Sequence, residues 1–181
     1  DRPTMSLDRD QHPDAGSGKK TNAAHIAPVL DTLKSDKFQL VTLEIVNMVG
    51  YPLAATYRAR VLKWVVMDAP LPGIGNWAAQ LSNPKTWHFN FHGPDEERLV
   101  AGRERIYLDR LWNELAGGRT KIDEATRVHY ATLYARPGAM HAAFAQFNPI
   151  RQDAEDNRVA MAKKLAMPVL AIGGEKSFGA N

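Results

Sequence analysis

The segment that most constrains the fold runs from residue 38 to residue 70 and alternates between two hydrophobic patterns. Residues 38–43 and 63–67 are short apolar runs, rich in residue types that favour buried strands. Residues 47–60, between them, carry apolar side chains at helical spacing. Two buried strands that bracket one amphipathic helix predict a right-handed βαβ unit in a parallel sheet.

Two carboxylates follow the predicted strands. Glu44 comes directly after the first strand, and Asp68 comes directly after the second. In parallel α/β sheets, ligands bind beyond the carboxyl ends of the strands. Both side chains are therefore expected at one edge of the sheet, and this pair is the strongest chemical signal in the sequence.

The chain as a whole is predicted to alternate between sheet and helical segments. Residues 1–70 are expected to form the N-terminal part of an α/β core, and residues 71–165 a helical lid inserted between strands. Residues 166–181 are expected to return to the core as a further strand. A lid over paired carboxylates implies a small-molecule site from which water is excluded.

Helix start and stop signals are clear within the predicted lid. Pro94 and the acidic residues after it favour the start of one long helix, which Gly117 and Gly118 should end. Asp123 is expected to cap a second helix that runs through Tyr134.

Composition excludes several classes of function. The net charge is +3, with Lys and Arg scattered among Asp and Glu, which argues against a nucleic-acid partner. The chain has no cysteine, which excludes a disulfide scaffold and a thiolate metal site. No apolar run reaches the ~18 residues of a membrane span. The other histidines lack metal-ligand spacing and are expected on surfaces or loops: His12, His25, His92, His129 and His141.

No metal, cofactor or membrane partner is therefore expected. The cellular compartment and the formation of a homodimer are left open. The start at Asp1-Arg2-Pro3 resembles neither a signal peptide nor a natural N-terminus, and the chain stops soon after the apolar run 167–172. A partial chain is expected on both grounds.

Glu44 and its neighbour suit nucleophilic chemistry. A carboxylate on a strand-to-helix turn can attack an electrophilic carbon and form an ester, and the Ile45 amide near the helix start could stabilise an oxyanion. Asp68 could orient a histidine base. The alternatives are that Glu44 is an ordinary solvated residue and that Asp68 caps a turn.

Two lid residues could act on a leaving oxygen. His88 lies among aromatic residues, where an imidazole with a pKa near neutrality can donate a hydrogen bond. Tyr134 ends a predicted helix, where its hydroxyl could face a cleft. Ordinary core packing is the alternative for both residues.

Four motifs together resemble the α/β-hydrolase fold epoxide hydrolases and the related haloacid (haloacetate) dehalogenases. These motifs are Val-Met-Asp-Ala-Pro at 66–70, Trp-His-Phe at 87–89, Arg-Leu-Val-Ala-Gly-Arg-Glu-Arg at 98–105 and Leu-Tyr-Ala-Arg-Pro at 133–137. The resemblance covers residues 12–180 and is strongest for the branch whose lid polarises the epoxide oxygen with a His and a Tyr.

The resemblance implies a hydrolase that opens a small epoxide to a diol through a carboxylate ester. It assigns the nucleophile to Glu44, the carboxylate partner of a histidine base to Asp68, and the ring-opening donors to His88 and Tyr134. The base itself is expected beyond Asn181, and an oxyanion donor in a His-Gly-x-Pro loop upstream of the first residue.

The elbow departs from the family pattern. The family has His-Asp-x-Gly where this chain has Leu-Glu-Ile-Val at 43–46. The extra methylene of Glu44 displaces the attacking oxygen, and a misplacement of ~1 Å can cost ~100-fold in rate. Val46 is expected to crowd the turn. An inactive relative, an altered but active elbow, and an error in the sequence at these positions all remain open.

Two other functions also stay open. The same nucleophile could cleave carbon–halogen bonds, although a dehalogenase needs halide donors such as tryptophan N–H groups, whereas a His-Tyr pair suits an oxygen leaving group. A homologue that has lost the elbow chemistry could bind a ligand without turning it over.

Overall fold

A computed structural model describes residues 18–177, which form eight α-helices, one 3₁₀ helix and three strands within that range. The helices are α1 (Lys19–Thr32), α2 (Val46–Thr56), α3 (Trp77–Ser82), α4 (Pro94–Val100), α5 (Glu104–Leu115), α6 (Glu124–Tyr134), α7 (Ala139–Ala145) and α8 (Ile150–Ala160), with the 3₁₀ helix at Pro84–Phe89. The strands are β1 (Phe38–Leu43), β2 (Val61–Met67) and β3 (Val169–Ile172). No helix in this range is long and apolar enough to cross a membrane.

The three strands form one parallel sheet in the order β1-β2-β3. Leu43 pairs with Met67, and Met67 pairs with Ile172, so the carboxyl ends of all three strands are level. The predicted βαβ unit is confirmed, because β1, α2 and β2 follow one another with parallel strand pairing.

The strands are less buried than their composition predicted. In β1 only Thr42 is buried, and all four residues of β3 are exposed. Both strands lie at edges of the described sheet, so each has a strand neighbour on one side only. The prediction that both strands of the βαβ unit are buried is therefore wrong for β1.

Helix α2 is the centre of the hydrophobic core. On one side, Tyr51 and Ala54 pack with Val61, Trp64 and Met167. On the other side of α2, a second cluster joins Ala23 of α1 to Val49 and Leu53. Because α2 packs on both sides, its position relative to the strand ends is fixed by the core.

One hydrogen bond and one close approach hold α2 against the sheet, and a second hydrogen bond joins β2 to β1. The Asn47 side-chain amide donates to the Met67 carbonyl at 2.5 Å, and the Trp64 indole donates to the Thr42 hydroxyl at 2.8 Å. Gly50 lies so near Thr42 that a Cβ at position 50 would come within 2.7 Å of the Thr42 methyl. The absence of a side chain at Gly50 therefore allows α2 to approach β1.

The chain divides into two compact units. Within the described range, residues 18–80 and 149–177 form the sheet unit, and residues 81–148 form the helical unit. Helix α8 therefore belongs with the sheet, where the Asp153 carboxylate accepts the Lys19 backbone N–H at 2.9 Å. The Asn157 side-chain amide also donates to the Pro72 carbonyl at 2.9 Å.

The structure has two helices, α4 and α5, where the sequence predicted one long helix. The run from Pro94 is interrupted at Gly102, whose φ of +74° lies in the left-handed region, and α5 starts two residues later. A residue with that φ cannot continue a right-handed helix. The prediction for Asp123 is confirmed, because its carboxylate accepts the Thr126 backbone N–H at 2.7 Å and caps α6.

One arginine joins α6 to α5 and to the loop between them. The Arg127 guanidinium is largely buried and donates to four acceptors: the Asp109 carboxylate (2.5 Å), the Asn113 side chain (3.0 Å), and the carbonyls of Arg119 (2.8 Å) and Ile122 (3.0 Å). This network fixes the position of α6, and with it the end of the helix that carries Tyr134.

Candidate active site

Glu44 occupies a strained turn between β1 and α2. Its φ of +55° lies in the left-handed region, which costs a non-glycine residue of order 1–3 kcal/mol. Two hydrogen bonds hold this backbone: the Glu44 N–H donates to the Met67 carbonyl at 3.1 Å, and the Glu44 carbonyl accepts the Asn47 N–H at 2.9 Å. Glu44 is therefore a strained residue at the junction of a strand and a helix.

The residues after Glu44 begin α2 without crowding. Ile45 is the N-cap of α2, so its N–H lies at the positive end of the helix dipole and outside the internal hydrogen bonds of the helix. Val46 is the first helical residue, and 47% of its side chain is exposed. The prediction that Val46 crowds the turn is wrong, because the close helix–strand approach occurs at Gly50 instead.

Asp68 lies beside Glu44 at the end of β2. It too has a left-handed backbone, with a φ of +54°. Its N–H donates to the Ile172 carbonyl at 3.0 Å, and its carboxylate accepts the Gly174 N–H at 3.1 Å. The Glu44 side chain is accessible to solvent. Nevertheless, partial desolvation of its carboxyl and, secondly, the negative charge of Asp68 raise its pKa.

Replacing Asp68 with Asn is expected to lower the pKa of Glu44. The substitution removes the charge that disfavours ionisation of Glu44 but leaves the burial contribution in place, so the pKa should fall only part of the way to its ordinary value. A carboxyl-carbon NMR titration measures the shift. An Asp36→Asn variant, changed at an exposed carboxylate before β1, should leave the pKa of Glu44 where it is. An unchanged Glu44 pKa in Asp68→Asn would contradict the pairing.

His88 lies in the 3₁₀ helix and is surrounded by rings. The centroid of its imidazole lies 4.7 Å from that of Phe89, 5.7 Å from that of Phe147 and 6.0 Å from that of Trp87. Its Nδ1 is buried and has no hydrogen-bond partner among residues 18–177. Burial lowers the pKa of His88 to about 4, an effect that the charge of Glu114 only partly offsets. His88 is therefore neutral at physiological pH, and the prediction that its pKa lies near neutrality is wrong. A neutral imidazole still has one N–H to donate.

Tyr134 ends α6 and is half-buried against the core of the helical unit. It packs against the cluster formed by Val100, Met140 and Phe144. Burial and, to a lesser degree, the neighbouring Tyr130 raise the pKa of Tyr134, so its hydroxyl keeps its proton at neutral pH. A protonated phenol can donate a hydrogen bond to a developing oxyanion.

Trp87, which stands beside His88, has partners that the sequence does not reveal. The Trp87 indole N–H donates to the Glu114 carboxylate at 2.6 Å, and the Arg110 guanidinium lies 3.8 Å from the ring centroid. Arg110 and Glu114 also pair with each other at 3.1 Å across one turn of α5. The four-residue spacing of Arg110 and Glu114 was visible in the sequence, but their approach to Trp87 depends on the tertiary fold.

The structure brings one pair of the four predicted side chains together and places the other two in the helical unit without direct contact between them among the contacts described. Glu44 and Asp68 adjoin one another in the sheet unit. His88 and Tyr134 lie in the helical unit, where the rings of Trp87 and Tyr107 link their surroundings, with centroids 5.6 Å apart. Within residues 18–177, no group of three or more potential ligands could hold a metal ion.

The remaining histidines have varied surroundings. His25 and His129 are exposed, as predicted. His141, on α7, contacts the Glu97 carboxylate at 2.8 Å, and His92 lies 2.9 Å from the Asn148 side-chain oxygen. His12 lies outside the described residues.

Solved structures share this fold. Cfl2 from Burkholderia cenocepacia is 33% identical, with a TM-score of 0.78 over 89% of this chain and 57% of its own. The epoxide hydrolase CorEH is 22% identical, with a TM-score of 0.73 over 92% of this chain and 61% of its own. ALR0039 from Nostoc sp PCC 7120, described as a candidate alpha/beta hydrolase, is 20% identical, with a TM-score of 0.74 over 94% of this chain and 60% of its own.

These structures extend well beyond the matched region, since this chain spans about three-fifths of the length of each. No protein-family model and no curated protein matches the sequence. The likeness to these structures is therefore one of overall fold, and in this chain that fold consists of a parallel sheet with helices packed on it. The chain carries part of an α/β-hydrolase fold.

Proposed function

We propose that the protein containing this chain opens a small epoxide to a diol through an ester on Glu44. In the first step, a Glu44 carboxylate oxygen bonds to an epoxide carbon, and the ring C–O bond breaks with its electron pair going to oxygen. That oxygen takes a proton from the Tyr134 hydroxyl in the helical unit, while the neutral His88 stabilises it only as a hydrogen-bond donor. In the second step, water attacks the ester carbonyl, the diol leaves, the Glu44 carboxylate is restored, and the proton that water gives up returns to Tyr134.

The observation that carries this proposal is the left-handed backbone at Glu44, between β1 and α2. Strain at such a junction persists only where the surrounding structure enforces it, and it presents the side chain beyond the strand end. The adjacent Ile45 N–H is suited to stabilise the oxyanion of the second step. Asp68 is suited to orient the histidine that activates water, which the resemblance expects outside this chain.

The donors of the helical unit suit an oxygen leaving group. His88 is neutral, and Tyr134 keeps its hydroxyl proton. Both can therefore hydrogen-bond to an epoxide oxygen and stabilise the alkoxide that forms when the ring opens.

Carbon–halogen cleavage by the same nucleophile is the second candidate, and two of the four tryptophans count against it. The Trp87 N–H is bound to Glu114, and the Trp64 N–H is bound to Thr42. Neither indole N–H is thus available for a halide without breaking an existing hydrogen bond. Halide release from chloroacetate or fluoroacetate, in the absence of epoxide turnover, would reverse the order of the two candidates.

The proposal is tested by incubating the complete protein with styrene oxide and propylene oxide. Diol formation, together with intact-mass detection of one covalently bound substrate on Glu44, is the expected result. Reversible binding without a covalent adduct would instead identify a protein that binds its ligand and does not turn it over.

Replacing Tyr134 with Phe is expected to slow ester formation by about 100-fold, because the variant cannot donate a proton to the leaving oxygen. Single-turnover kinetics followed by intact mass measure that step. Tyr130→Phe is the matched control, since Tyr130 is on the same helix and 45% exposed, and its loss should leave the rate unchanged. Equal rates in Tyr134→Phe and the unmodified protein would remove Tyr134 from the mechanism.

A further inference from the structure

The loop after β3 contacts the Asp68 carboxylate directly. The Gly174 N–H donates to Asp68 Oδ1 at 3.1 Å, and the Asp68 N–H donates to the Ile172 carbonyl at 3.0 Å. A turn closes the same loop, with the Ser177 N–H donating to the Gly174 carbonyl at 3.0 Å. Asp68 is therefore joined to β3 and its loop through both its backbone and its side chain.

Position 174 has little room for a side chain. A Cβ there would lie 3.1 Å from Asp68 Oδ2 and 3.6 Å from the Ser177 Cβ. The first distance is shorter than ordinary van der Waals contact, so an added methyl would push the carboxylate away from the amide. Gly174 has no left-handed φ that would explain the glycine by itself. The close approach of its amide to Asp68 supplies that explanation.

We propose that Gly174 is a positioning residue for Asp68, a role that rests on the proposed ester mechanism. The loop amide holds one carboxylate oxygen and thereby fixes the plane of the carboxylate. A histidine base oriented by that carboxylate acts only in the second step, when water attacks the ester. A fault at Gly174 should therefore slow ester hydrolysis and leave ester formation unchanged.

The hydrogen bond is tested without any substrate. In the complete protein, the Gly174 amide proton resonance should lie downfield, because a carboxylate accepts a strong hydrogen bond. In Asp68→Asn it should move upfield, while the amide of Gly118, a loop glycine in the helical unit, stays in place. A Gly174 resonance that does not respond to Asp68→Asn overturns the inference, whether or not the protein opens epoxides.

The catalytic consequence is tested with Gly174→Ala. Because outer partners of catalytic groups typically contribute 10- to 100-fold, the steady-state rate should fall by about 10-fold and the ester should accumulate. The single-turnover rate of ester formation should match that of the unmodified protein. Gly118→Ala is the matched control, since a Cβ at 118 would lie at an ordinary 3.6 Å from the Lys121 side chain.

A general loss of folding would slow both steps together, so slowing confined to hydrolysis separates positioning from a structural defect. If Gly174→Ala slows ester formation equally, or slows neither step, Gly174 does not position Asp68. If the unmodified protein forms no ester with any epoxide, the proposed function fails, and the amide resonance still decides whether Gly174 holds the carboxylate.

Discussion

Glu44→Gln is expected to lower epoxide turnover by more than about 1,000-fold and to abolish the covalent adduct, because an amide cannot act as the nucleophile. Diol formation and intact mass, measured on the complete protein, report the two effects separately. Residual diol without adduct would indicate direct attack by water, and full activity in Glu44→Gln would remove Glu44 from the reaction.

The same substitution should not unfold the protein. The pKa of Glu44 is raised in the folded chain, so its ionised form is less favourable there than in the unfolded chain. The stability that Glu44 contributes is thus fully present below its unfolded pKa and is lost as the pH rises through its folded pKa. Gln carries no charge, so the variant should melt at the same or a higher temperature at pH 7. Glu155→Gln, at an exposed ion pair on α8, is the matched control and should retain activity.

Arg127→Ala is expected to have the largest effect on the stability of the helical unit. The substitution removes a largely buried guanidinium, 9% exposed, that donates to two carbonyls, whereas Asp109 keeps its ion pair with Arg105. Leaving buried acceptors without their donor typically costs about 1–3 kcal/mol. Native-state hydrogen exchange of the amides of α5 and α6 should show this loss.

Arg98→Ala is the control within the same unit. Arg98 pairs with Asp95 across one helical turn, and both side chains are 83% exposed. An exposed pair of this kind contributes at most about 1 kcal/mol. If Arg127→Ala and Arg98→Ala changed the hydrogen exchange of α5 and α6 by the same amount, the network around Arg127 would contribute no more to stability than an exposed ion pair.

Local patterns predicted the elements that local forces determine. The βαβ unit followed from its hydrophobic spacing, and the start of α6 followed from the capping preference of Asp123. The predicted long helix was wrong because Gly102 adopts a left-handed φ, and a single glycine inside a helical pattern does not reveal which conformation it takes. The prediction that β1 is buried was wrong because composition does not show how many strands flank a given strand.

The site was predictable where chain order alone places residues together. Glu44 and Asp68 follow adjacent parallel strands, so their proximity follows from the register of the sheet. The contacts of Trp87 with Glu114 and of Asp68 with Gly174 join residues far apart in sequence, and no periodicity encodes them. The low pKa of His88 likewise depends on rings brought together by folding.

The close approach of Gly50 in α2 to Thr42 in β1 restricts which residues can occupy these two positions. A methyl group at position 50 would require a smaller residue at position 42, and losing the Thr42 hydroxyl would deprive the Trp64 indole of its acceptor. Position 50 therefore accepts a side chain only if position 42 loses its methyl group and keeps its hydroxyl. Val46, which is 47% exposed, is under no such restriction, so a β-branched side chain is accommodated at the start of α2.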